Sequence, residues 1–155
     1  DEMTKSVYVS PDGKRIPYMN EAEIENLHIK AGTLSESERA VMQSHVTYTD
    51  KILSHIHFGE QFCDVRRMAA DHHELLNGKG YPRGVGEKEL DTMTTILTIM
   101  DIYDSLIADD RPYKKPKPVK VAFEILYEEA QRGKVDKTIV DFANELYGQE
   151  KQAEE

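Results

Sequence analysis

The chain has 155 residues, a usual length for one domain, and 29 Asp and Glu stand against 20 Lys and Arg. That acidity argues against a nonspecific surface for a nucleic-acid polymer, but it leaves room for a small anionic substrate in a locally basic site. A single cysteine, Cys63, excludes an internal disulfide framework and a cysteine-based zinc site; with no apolar run near the ~20 residues of a membrane span, the expected setting is the cytoplasm, without membrane contact.

Val7-Tyr8-Val9, Ser10-Pro11-Asp12-Gly13 and Lys14-Arg15-Ile16 predict a small hairpin, because proline second and glycine fourth suit a type I turn. Residues 20–29 predict a short helix ended near Gly32. Ser35-Glu36-Ser37-Glu38 has the form of a capping box and opens a helix to about His57. A third helix is expected from Glu60 to Glu74, then a loop from Asn77 to Gly86. A long, largely apolar helix covers about Leu90 to Ala108. Pro116 and Pro118 reset the chain, and a helix runs on to about Arg132 with Gly133 as its C-cap. Asp136 caps a last helix reaching about Tyr147. The fold class expected is all-α. A bundle of about six helices fills residues 19–147, after a hairpin (1–18) that reads as the remnant of an insertion and before a polar tail (148–155). The start at Asp1 rather than Met carries the expectation of a portion of a longer protein.

The densest chemistry lies in His72-His73-Glu74-Leu75-Leu76-Asn77-Gly78-Lys79-Gly80-Tyr81-Pro82. Neutral imidazole offers a metal a lone pair at physiological pH, and adjacent histidines on a helix point ~100° apart. The glycines allow close backbone approach and bring Lys79 and Tyr81 nearby. Val41, Met42, His45, Thr49, Ile52 and Ile56 share one helical stripe, and Phe62, Val65, Ala69, His72 and His73 form the expected inward face of the next helix. By itself, His45 reads first as a core histidine bonded to a backbone carbonyl. Two adjacent inward imidazoles each need a partner. From Met93 to Ala108 the only charges are Asp101 and Asp104. A helix apolar nearly all round is expected to be buried, and a buried carboxylate must be paired, hydrogen-bonded or metal-bound. Asp104 has an alternative partner in Arg111. Arg111 and Lys114 suit a phosphate, or equally a solvated helix end whose dipole they complement. The residues thus point to a His/Asp metal site with a basic cluster near it. Mixed ligation of that kind suits iron, manganese or zinc, and the matching chemistry is hydrolysis of a phosphate ester.

These motifs resemble the HD-GYP family, a branch of the HD-domain metal-dependent phosphohydrolases known as phosphodiesterases of the bacterial second messenger cyclic di-GMP. The resemblance covers about residues 30 to 145. It rests on Gly32-Thr33-Leu34-Ser35 through Glu38 and His45, on His72-His73-Glu74 with Gly78 and Gly80-Tyr81-Pro82, on Asp101 to Asp104, and on Asp110-Arg111-Pro112-Tyr113-Lys114. It implies metal ligation by His45, His72, His73 and Asp101, with iron or manganese, two ions in a complete site. It implies phosphate contacts from Arg111 and Lys114, and a Gly80-Tyr81-Pro82 loop tied to substrate access and to partners such as a diguanylate cyclase domain.

The chain also departs from the family. The defining His-Asp pair is absent, and Pro11-Asp12-Gly13-Lys14 echoes it only superficially, as a hairpin turn. In the family that pair supplies a bridging aspartate and a further histidine ligand. Asn77 stands where aspartate is usual, and Ser105 where alanine is usual. The expected function is hydrolysis of cyclic di-GMP to linear pGpG or GMP, weak or absent in this chain alone. The competing expectation is a module that has lost its chemistry and acts on a signalling partner through the loop. A nucleotide phosphohydrolase of the wider HD class is disfavoured by the Gly-Tyr-Pro loop.

Overall fold

The computed structural model describes residues 5–27, 34–109 and 115–148. Strands β1 (Val7–Val9) and β2 (Arg15–Pro17) pair antiparallel, Tyr8 opposite Ile16. Six α-helices follow among the described residues: α1 (Glu21–Leu27), α2 (Glu36–Leu53), α3 (Val65–Asp71), α4 (Thr92–Ile107), α5 (Val119–Gln131) and α6 (Lys137–Tyr147). The expected all-α class holds, with the hairpin as its only sheet among the described residues. None of these helices is long and apolar enough to cross a membrane.

The chain divides into two compact units, residues 1–42 and 43–155, with the boundary inside α2. In the first, the hairpin turn forms as its sequence demands. Gly13 takes φ +83°, and its N–H donates to the Ser10 carbonyl at 2.8 Å, so Pro11-Asp12-Gly13-Lys14 is a turn. The capping box closes in both directions: Ser35 N–H donates to Glu38 Oε2 at 2.8 Å, and Glu38 N–H donates to Ser35 Oγ at 3.3 Å.

In the second unit, Ile99 and Tyr103 of α4, Ala122, Phe123 and Leu126 of α5, and Val140 and Ala143 of α6 form the core, joined by Val135 from the α5–α6 turn. Local signals set the ends of these helices. Asp91 caps α4 by accepting from Thr94 N–H at 2.8 Å, Asp136 caps α6 by accepting from Thr138 N–H at 2.7 Å, and Gly133 ends α5 at φ +67°.

Several expectations are corrected. The helix expected over Glu60–Glu74 is a 3-10 turn at Glu60–Phe62 followed by the short α3. The carbonyl of His73 accepts from Tyr81 N–H at 3.2 Å, and Glu74 N–H turns back tightly onto the Asp71 carbonyl at 2.8 Å, so the ladder cannot continue. The stripe expected to be inward on α2 is largely solvent-facing. Val41, Met42, Ile52 and Ile56 are exposed, and Val46 is the residue fully buried. Phe62 and Val65 are exposed as well. Finally, α4 is not buried all round. Thr94, Thr95, Thr98, Ile99 and Tyr103 face inward, whereas Met93, Ile96 and Leu97 are exposed. Periodicity marked a helix in each case, but the elements packed against it chose the buried face. Helix α2 also stops at Leu53, short of His57.

Candidate metal centre

Three histidines from α2 and from the end of α3 meet at one place. His45 projects from α2, His72 is the C-cap of α3, and His73 follows it in the turn. One ligand nitrogen of each lies within 4.8 Å of the others. Because the helix has already ended, the His72 and His73 rings do not diverge as on a helix; their centroids are 4.1 Å apart and tilted by 39°. His45 and His73 bring their Nε2 atoms to 3.1 Å. Such a pair needs one N–H and one lone pair, or a metal ion between the nitrogens.

Two of the rings have a partner behind them. His72 donates from Nδ1 to the Ala69 carbonyl at 2.8 Å, which leaves its Nε2 lone pair for a metal. His73 Nδ1 faces Asp101 Oδ2 at 3.7 Å. Burial, followed by the neighbouring His72, lowers the His73 pKa to about 4 against the opposing pull of Asp101, so its ring is neutral at physiological pH. Imidazole donors at this spacing fit a transition-metal ion.

Asp101 was expected to be a buried carboxylate, but its side chain is 44% exposed. It lies beside the histidine cluster rather than within its ligand spacing. Asp104 is exposed and faces solvent. Arg111 and Lys114, expected at a phosphate, lie outside the described residues, so the alternative pairing of Asp104 with Arg111 does too.

The loop after the histidines brings Tyr81 onto the cluster. Its ring centroid is 4.8 Å from that of His73, tilted by 31°, and burial followed by Asp101 raises its pKa. The Tyr81–Pro82 peptide is cis. Lys79 is exposed.

The chain matches the HD domain family over residues 21–139. It belongs to the HD domain family. Among similar proteins, the 3'3'-cGAMP-specific phosphodiesterase 3 of Vibrio cholerae is 43% identical over 99 residues, 64% of this chain and 21% of that protein. The cyclic di-GMP phosphodiesterase of Thermotoga maritima is 35% identical over 100 residues, 61% of this chain and 25% of that protein. The 3'3'-cGAMP-specific phosphodiesterase 1 of Vibrio cholerae is 33% identical over 140 residues, 90% of this chain and 31% of that protein. The chain therefore spans between about a fifth and a third of these relatives. With its Gly80-Tyr81-Pro82 loop, this HD domain falls in the HD-GYP branch.

Two departures from that branch have local explanations. In this HD domain Asn77 uses both ends of its amide: Oδ1 accepts from Lys79 N–H at 3.1 Å, and Nδ2 donates to the Arg132 carbonyl at 3.4 Å, which an aspartate could not do. Ser105 Oγ donates back to the Ile102 carbonyl at 2.8 Å.

Sequence reasoning missed the residues that hold the loop. Glu74 and Asp71 are both almost fully buried. Glu74 accepts from the N–H groups of Arg83, Gly84 and Val85, and Asp71 grips the Arg83 guanidinium with both oxygens. The only signal in the sequence was an acidic residue directly beside each end of the histidine pair.

Proposed function

We propose that this HD domain is the metal-binding part of a phosphodiesterase site in second-messenger signalling that opens cyclic di-GMP to linear pGpG and on to GMP, or a relative such as 3'3'-cGAMP to its own linear dinucleotide. The observation that supports it is the convergence of His45, His72 and His73, with Asp101 beside them. These four are the ligands of the proposal, for iron or manganese, two ions in a complete site. A divalent ion held there supplies Lewis acidity toward phosphate oxygens and a water of lowered pKa. The Ala69 carbonyl accepts from His72 Nδ1, so His72 would hold the ion through the Nε2 lone pair. Tyr81 offers a flat apolar wall against which a base stacks, and Lys79, Arg111 and Lys114 neutralise the phosphates. The reading places this chemistry in the domain at residues 19–147, in the cytoplasm, with residues 1–18 and 148–155 outside it.

The sequence has no His-Asp pair, so turnover by residues 1–155 alone is weak or absent in this reading. The same gap favours a second reading, a module that acts through the Gly80-Tyr81-Pro82 loop on a signalling domain such as a diguanylate cyclase. Elemental analysis after anaerobic purification separates the two. Iron or manganese bound by the native chain and lost in His72→Ala, with helical circular dichroism unchanged, is the expected result. Metal in neither protein would overturn the metal-site reading and favour the partner module. Robust metal-dependent turnover of cyclic di-GMP by this chain would overturn the expectation of weak activity.

A further inference from the structure

Glu74 is 1% exposed and sits one residue after a candidate ligand. Its carboxylate is spent on backbone. Oε1 accepts from Arg83 N–H at 2.6 Å and from Gly84 N–H at 3.1 Å, and Oε2 accepts from Val85 N–H at 3.1 Å. Three successive N–H groups can converge on one carboxylate because Gly84 takes φ +67° and turns the peptide inward. The adjoining end of the loop is held just as closely. Tyr81 N–H donates to the His73 carbonyl, and Gly80 lies so near the Glu74 backbone that no side chain fits there. Asp71 adds a second buried carboxylate, on the Arg83 side chain. The turn that carries His73 and the loop that carries Tyr81 are thereby joined through Glu74.

We propose that Glu74 is a positioning residue of this site: by gathering the N–H groups of Arg83, Gly84 and Val85 it fixes the loop that sets Tyr81 against His73, and so governs cyclic-dinucleotide binding without holding metal. The proposal rests on the phosphodiesterase reading above for its ligand, but not for its structural part. A carboxylate oriented by charge-assisted bonds to three donors is rigid, and such bonds are roughly twice as strong as neutral ones. An amide in its place keeps the shape but turns an N–H toward a donor and loses the charge.

The test uses the full chain as native protein, Glu74→Gln and Glu74→Asp. It reads residue-resolved amide exchange, binding of manganese alone, and binding of cyclic di-GMP to the manganese-loaded protein. In Glu74→Gln, exchange at Arg83, Gly84 and Val85 is expected to accelerate by about tenfold or more, as expected for a lost hydrogen bond to a charged group. Core amides of α4, α5 and α6 should stay protected and manganese binding should be retained, while cyclic di-GMP affinity falls about tenfold. Glu74→Asp, which keeps the charge, should recover part of both changes. Unchanged exchange at the three amides would overturn the proposal. So would a loosened loop with unchanged dinucleotide affinity, or loss of core protection in both variants, since Glu74 would then serve stability alone. If native protein binds neither manganese nor cyclic di-GMP, the phosphodiesterase reading and the binding half of the proposal fail together, and the exchange measurement alone still decides the loop-holding half.

Discussion

Gly80 shows how little freedom the loop has at the level of single residues. A Cβ there would lie 2.4 Å from Glu74 Cα and 2.5 Å from Leu75 N, both backbone atoms that cannot step aside. Gly80→Ala is expected to destabilise the chain by about 2 kcal/mol, the usual cost of overpacking, seen as a lower urea midpoint with unchanged slope. An unchanged midpoint would show that the loop yields. The glycine was visible in the sequence, and so were the histidines. Close backbone approach was expected of the loop glycines, but not which backbone is approached, because the clash is with the preceding turn. Glu74 and Asp71 were illegible for the same reason. Their partners at Arg83, Gly84 and Val85 lie nine to twelve residues on, beyond any helical or turn periodicity.

At the level of the element, α4 shows what a cap contributes. Asp91 accepts from Thr94 N–H and pairs with Arg67, and these contacts, the first foremost, hold its pKa at about 2. The folded value lies below the ~3.9 of an unfolded aspartate. Its contribution is therefore complete above pH ~4 and disappears as the pH falls from ~4 toward 2. Asp91→Ala should cost about 1 kcal/mol at neutral pH by loss of the cap, and little at pH 2. Denaturant melts at the two pH values check this; an equal loss at both would show that the charge is irrelevant. The side chain is 43% exposed, so the pairing with Arg67 adds little beyond the cap. The ends of α5 and α6 were legible because caps act within four residues of chain, whereas α4 was expected from about Leu90 without its Asp91 cap. The length of α3 was not, since it stops where the loop takes the His73 carbonyl.

In the larger unit as a whole, stability concentrates where α4, α5 and α6 meet. Leu126 is fully buried at that junction, whereas Leu146 on α6 is 48% exposed. Leu126→Ala should cost about 3 kcal/mol in thermal or urea unfolding, and Leu146→Ala less than about 1 kcal/mol. Comparable losses would mean that α6 packs differently. The sequence alone determined the helical class, the hairpin turn, the Gly133 end of α5 and the Asp136 cap of α6, and it singled out His45, His72 and His73 as candidates, because each depends on short-range hydrogen bonding or on side-chain chemistry written in the residue itself. Only the tertiary structure decided that Val46 rather than the Val41–Ile56 stripe is buried, that Asp101 stands half-exposed beside the cluster, and that Glu74 serves the loop. Which face of a helix is buried, and which N–H groups reach a carboxylate, depend on segments distant in the chain and adjacent only after folding.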